Sequence, residues 1–182
     1  VTCRAVVLAL GGGSWPQLGS DGAWAETLAA RGIDIAPLQP ANCGFDVGWS
    51  EFLANKHAGA PVKPVVAHWR DAQGIEHALQ GECVLTEAGI EGSLVYALSA
   101  ELREAIGRDG GTTVHLDLAP GRDLQRLQRE LEKPRNGRSL VEHLRRQAGI
   151  DGAKVALLHE VLDKAALQDM ARIAAALKRL PL

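Results

Sequence analysis

The sequence predicts an α+β fold, and three observations predict it. A short apolar run, Ala5-Val6-Val7-Leu8-Ala9-Leu10, stops at Gly11-Gly12-Gly13. From about Ala41 to Leu118 most segments alternate with period two between turns, with one amphipathic helix among them. After Pro120 the spacing is helical throughout. Strands gathered in one stretch and helices in another read as α+β.

The elements follow in order. Residues 5–10 are short, uninterrupted and glycine-terminated, which predicts a strand buried on both faces. Gly22 to Arg31 carries Trp24, Leu28 and Arg31 near helical spacing, with Asp21 as N-cap and Gly32 as the stop. Ile33-Asp34-Ile35 alternates as a short strand before Pro37 and Pro40 break the pattern. Cys43, Phe45, Val47 and Trp49 alternate with small or polar residues, which predicts a half-buried strand. Ser50 to Leu53 reads as one helical turn and 57–61 as a loop. Residues 62–69 form a strand that Pro64 assigns to an edge or a bulge. After the Asp71-Ala72-Gln73-Gly74 turn, Ile75 to Leu79 returns as a hairpin partner, and Glu82 to Thr86 is a further strand. Leu94, Val95, Leu98, Leu102, Ala105 and Ile106 mark a helix over 93–107. Thr112 to Leu118 alternates again and joins the antiparallel sheet, which makes this block barrel-like. Four helices then follow, the second opened by the capping pattern Ser139-x-x-Glu142, as a small bundle with brief loops. The domain plan is thus 1–40, then 41–119, then 120–182.

Composition excludes several classes. Hydrophobic residues make up 46% and charged residues 23% of 182, a globular and not a disordered balance. Net charge is −2 with signs interspersed, and aromatics at 4% are too few for a base-stacking platform, so no nucleic-acid partner is expected. No apolar run nears the roughly 18 residues of a membrane helix, and no basic stretch precedes the first apolar run as in a signal peptide. The reading is a cytoplasmic protein without a membrane partner. Cys3, Cys43 and Cys83 lie forty apart with no Cys/His cluster, which predicts small, buried, reduced thiols and no metal site. The chain opens on Val1 just before a strand that reads as central, so an internal segment of a longer protein is expected.

The glycine turn offers the best candidate site. Glycine lets backbone approach a ligand closely, and a second turn, Gly19-Ser20-Asp21-Gly22, opens a helix whose free N–H groups favour an anion. The strict dinucleotide fingerprint G-x-G-x-x-G fails, because Pro16 stands where its third glycine belongs. A ligand contact and a purely structural turn both remain open. Ser14 is not in a G-x-S-x-G elbow. The six histidines show no catalytic or metal-ligand spacing, which reads as packing or surface. The seven arginines and one lysine between Arg122 and Arg146 are interleaved with glutamates and read as a solvated helical face, with phosphate binding the lesser alternative.

The residues also carry a resemblance. Ala9 to Gly22 resembles the A-T-G-G-x-S-Y-P-x-x-G-S-T-G-D-G segment of a family of bacterial flavoproteins, the YhiN-like or BaiN-like family, which includes aminoacetone oxidases. Pro37-Leu38-Gln39-Pro40-Ala41 is similar to the family's P-x-x-P-A turn, and Leu85 to Gly92 to its F-T-H-x-G-I-S-G segment. The resemblance implies part of a Rossmann-like FAD domain over 1–40, followed by a barrel-like insert and a helical subdomain. It implies FAD as cofactor, with a nicotinamide cofactor, NAD(P)H, or a small-molecule amine substrate exchanging electrons with it. Carried over by position, Ala9, Leu10, Gly11 and Gly12 line the approach to the flavin, and Gly13, Ser14 and Pro16 continue it. The catalytic residues are not assigned. The chain departs from the pattern at Leu10, which replaces a Thr, at Glu87, which replaces a His, and at Ser93, which replaces a Pro. One residue is also missing between Ser20 and Gly22. The family's main dinucleotide fingerprint is absent from these residues, so the segment by itself is expected to be inactive. The rival reading is a non-redox ligand-binding or protein-interaction module.

Overall fold

A computed structural model describes residues 2–182. The chain divides into two compact units, with the boundary in sequence between Pro40 and Ala41.

Among its described residues the first unit holds one helix, α1 (Trp24–Ala29), and a single 3-10 turn at Pro16–Leu18. Asp21 is not the N-cap expected, because the helix starts later with Ala23 at its cap; its Oδ1 instead accepts the Ala23 N–H at 3.0 Å in the turn ahead of the helix. Gly32, at φ +77°, takes the chain out of the helix. The expected strand over residues 5–10 does not form, and neither does Ile33-Asp34-Ile35. Val6, Val7 and Leu8 are 71, 89 and 59% exposed. A buried strand needs hydrogen-bonding neighbours and cover on both faces, and the sheet draws every strand from the second unit.

The second unit is a mixed α+β domain built on a curled antiparallel half-barrel. Its strands are β1 (Phe45–Asp46), β2 (Pro61–Arg70), β3 (Glu76–Leu85), β4 (Gly89–Glu91), β5 (His115–Asp117) and β6 (Leu180–Pro181). Their spatial order is β1-β4-β3-β2-β5-β6, and every pairing is antiparallel. Its helices are α2 (Glu51–His57), α3 (Ser93–Asp109), α4 (Leu124–Leu131), α5 (Leu140–Ala148), α6 (Gly152–Val161) and α7 (Met170–Lys178).

The β2–β3 hairpin is the backbone of the sheet. Asp71 closes its turn by accepting the N–H groups of Gln73 and Ile75 on one carboxylate oxygen. Pro64 sits at a register shift between Val62 and Val65, so the bulge alternative holds; β2 is flanked on both sides and is no edge. The two strands expected over 75–79 and 82–86 are one, β3. Gly81 lies mid-strand because a Cβ there would stand 3.1 Å from the Leu94 Cβ of α3. Helix α3 buries Leu94, Val95, Leu98 and Leu102 on the curled sheet, as its spacing predicts.

Capping fixes the C-terminal helices. Asp123, Ser139 and Asp169 each accept a backbone N–H of the first turn of α4, α5 and α7. Gly149 ends α5 in the left-handed region. Helix α6 is buried almost all round, through Ala153 and Val155 to Leu158. These helices do not pack apart from the sheet. One core runs from Leu53 to Leu180, and β6, directly after α7, pairs Leu180 with Leu116. Lys178 completes the join. Its ammonium lies 2.5 Å from the buried Asp117 carboxylate and 2.7 Å from the Arg122 carbonyl.

Candidate functional site

The sequence places its candidate ligand contacts at Ala9, Leu10, Gly11, Gly12, Gly13, Ser14 and Pro16, and all seven are exposed. Gly11 has φ +80° and open space where a Cβ would stand. Gly12 accepts the Gly22 N–H on its carbonyl at 3.0 Å, which brings the two small-residue turns together. A Cβ on Gly13 would lie 2.8 Å from Leu38 Cδ1 and 3.7 Å from the Gly22 Cα. Pro16 opens the 3-10 turn, and Trp15 and Ser20 exchange backbone hydrogen bonds of 3.0 and 3.1 Å across it. Among the described residues, the N–H groups of Gly11, Gly12, Gly13 and Ser14 donate to no backbone or side-chain acceptor. The segment therefore presents free donors on a backbone without bulky side chains, the arrangement that suits an anionic or flat polar group.

The second motif, Leu85 to Gly92, has a structural role that its glycines explain. A Cβ on Gly89 would lie 1.8 Å from the Phe45 carbonyl oxygen, and one on Gly44 2.9 Å from that of Ile90. β1 and β4 therefore pair at a distance that tolerates no side chain. The Trp49 indole N–H donates to the Gly89 carbonyl at 3.0 Å, and Thr86 Oγ1 accepts the Gly89 N–H at 2.8 Å. Buried Ser99 of α3 bonds the N–H and the carbonyl of Cys43, both at 3.2 Å, which anchors the entry to β1. Glu87 is exposed.

Inside the half-barrel a cavity of about 160 Å³ lies where the sheet's two edges approach α3. Phe45 and Val47 wall one side, Val114 and Leu182 the other, and Leu102 and Ile106 close it from α3. Asp46 and Thr112 are the polar groups in this lining. The period-two pattern places Phe45 and Val47 on one face, which the structure bears out, but it carries no sign of a cavity.

The histidines divide by environment. His77 Nε2 lies 2.7 Å from Asp71 Oδ2, and the His77 ring stacks on Trp69 at 5.4 Å between centroids. That hydrogen bond holds the Asp71 carboxyl below its ordinary value. Sequence spacing missed the pair, since only the hairpin turn brings positions 71 and 77 together; the turn residues Asp71 and Gly74 are the signal that could have found it. His143 is buried, with Nε2 at 2.9 Å from the Leu131 carbonyl. The thiols also differ from expectation. Cys3 is exposed, because its segment finds no core, whereas Cys83 is buried and burial pushes its thiol up to about 11. Among the described residues no three His, Cys, Asp or Glu side chains converge as a metal site. In the arginine-rich helices Glu130 takes both Arg122 and Arg126 at 2.9 Å, and Glu142 takes Arg145 at 2.9 Å.

No curated protein matches this chain. A family model, the HI0933-like protein barrel and H2TH domain, matches residues 39–182. That range holds the whole half-barrel and every helix packed on it. The chain thus belongs to the HI0933-like family, whose members are the YhiN/BaiN-like flavoprotein-related proteins.

Proposed function

We propose that this chain is a segment of an FAD-dependent oxidoreductase in which residues 1–40 contribute part of the FAD-binding domain and the half-barrel with its helices covers the substrate side of the flavin. The observation that carries the reading is the family match over 39–182, with a glycine segment ahead of it in the sequence whose four consecutive N–H groups find no acceptor among the described residues. The residues fit the flank of such a cofactor. Gly11 and Gly12 let the backbone approach, and Ala9, Leu10, Gly13, Ser14 and Pro16 frame that approach. FAD, when bound, supplies the redox chemistry; the chain supplies donors and shape, with NAD(P)H or a small-molecule substrate as the exchange partner. The exposed run Val6 to Leu10 supports this reading, since an apolar strand of that kind is stable only inside a sheet. A cytoplasmic setting, with no nucleic-acid or membrane partner, belongs to the same proposal.

A second reading has its own support. The Gly12–Gly22 hydrogen bond and the Trp15–Ser20 bridge build a complete local turn without a ligand, as a non-redox interaction module would need. The two readings part on colour. The protein expressed from its full reading frame is expected to purify yellow, with flavin absorbance lost on denaturation. A colourless full-length protein that gains no thermal stability from added FAD overturns the enzyme reading.

A further inference from the structure

We propose that the end of the sheet where β2, β5 and β6 meet binds a small phosphate-bearing molecule through Arg70, Arg179, His115 and the Thr112-Thr113 pair. A cleft of about 190 Å³ lies there, lined by these five residues and Trp69. They come from β2, from the loop before β5, from β5 itself and from the residue after α7, so only the folded sheet assembles them. None of them belongs to the glycine segment, and the inference stands independently of the flavin reading.

The charge balance points to an oxyanion. Arg179 Nη1 donates to Glu76 Oε1 at 2.6 Å, which leaves the rest of its fork free. The Arg70 guanidinium is exposed and makes no hydrogen bond or salt bridge with the described residues, although Glu76 stands opposite it in the β2–β3 register. His68 stands opposite His115 in the β2–β5 register. Two guanidiniums and two imidazoles thus gather around Glu76, which is the carboxylate bonded at this cleft, while Asp71, Glu101 and Glu104 line the adjoining cleft that Arg70 also borders; Glu76 is held below its ordinary value by Arg179 and then by Arg70 and His68. His115 is pushed down first by burial and then by Arg179, with Glu76 opposing. An oxyanion in the cleft reverses those conditions: it pairs with the free guanidinium donors, accepts from threonine hydroxyls and favours a protonated His115. Two guanidiniums favour a dianion such as a phosphate monoester. Trp69 gives a flat wall for a modest organic part, and its own indole N–H is fixed on the Glu101 carboxylate.

The test is isothermal titration of the intact chain with inorganic phosphate and with pyrophosphate, each against sodium chloride at matched ionic strength. Saturable binding is expected, with proton uptake at neutral pH as His115 takes a proton beside the bound dianion. Arg70→Ala should weaken it about tenfold or more, the equivalent of about 1.4 kcal/mol. Glu76→Gln should strengthen it several-fold by removing the competing acid. The Arg70 side chain is exposed and bonds none of the described residues, so its variant should keep the parent's unfolding curve. Absence of saturable binding to both probes overturns the proposal. So does binding that chloride reproduces, or binding that Arg70→Ala and Glu76→Gln leave unchanged.

Discussion

Ala5 to Leu10 and the run from Pro61 to Arg70 are both valine-rich segments next to glycine or proline, and their fates differ. Val6 and Val7 are 71 and 89% exposed, whereas Val62 and Val65 are at 0%. Pro61 to Arg70 forms β2, with β3 on one side and β5 on the other, packed by α6 and bonded to α3 through Trp69 and Glu101. Ala5 to Leu10 has no strand beside it among the described residues. Hydrophobicity therefore sets what a strand needs, and neighbours decide whether the need is met. The whole of the first unit follows the same rule. None of its described residues is buried, while the second unit holds the entire buried core.

The sharpest test of that contrast is the ion pair that ties α7 to β5. Lys178→Met leaves Asp117 buried without its cation and should cost about 3–5 kcal/mol, read as a shift in a urea unfolding midpoint. An unchanged midpoint would show that the helices and the sheet do not unfold together. A paired measurement comes next. Leu158→Ala removes a side chain at 0% exposure and should cost about 2–5 kcal/mol, whereas Val7→Ala should stay within about 0.5 kcal/mol. A large Val7 effect would mean that the apolar run is covered in solution. The mildest probe is thiol labelling at neutral pH. Cys3 should react first and half-buried Cys43 more slowly, with Cys83 silent until unfolding, since its thiol lies near 11. Early labelling of Cys83 would contradict the closed core around it.

Local signals were legible where the physics is local. Ser139 accepts the Glu142 N–H, as its S-x-x-E spacing indicates. Asp71 and Gly74 make the expected turn, and Cys43, Phe45, Val47 and Trp49 alternate in burial with their neighbours. The family resemblance was legible for a similar reason. Gly89 and Gly92 must be glycine: β1 crosses the first at a distance that admits no Cβ, and the second sits at φ +106°. What could not be read were the meetings between distant positions. His77 and Asp71 pair only through the hairpin, and Asp117, at an outward-reading position of its strand, is buried because Lys178 reaches it from α7. Leu180 reads as the end of the last helix, over 165–180, and Pro181 as the residue after it; the two instead form β6 on the sheet edge.

By itself the sequence determined periodicity, caps, turns and the placement of glycines, since each depends on residues within about one helical turn or one hairpin. Only the tertiary structure decided strand order, the return of the chain's last residues to the sheet, and the gathering of Arg70, His115 and Arg179 at one end of it. Those outcomes depend on which surfaces find partners. For the same reason, the glycine segment around Gly11 is set by local rules, while the valines before it lie exposed without a sheet to enter.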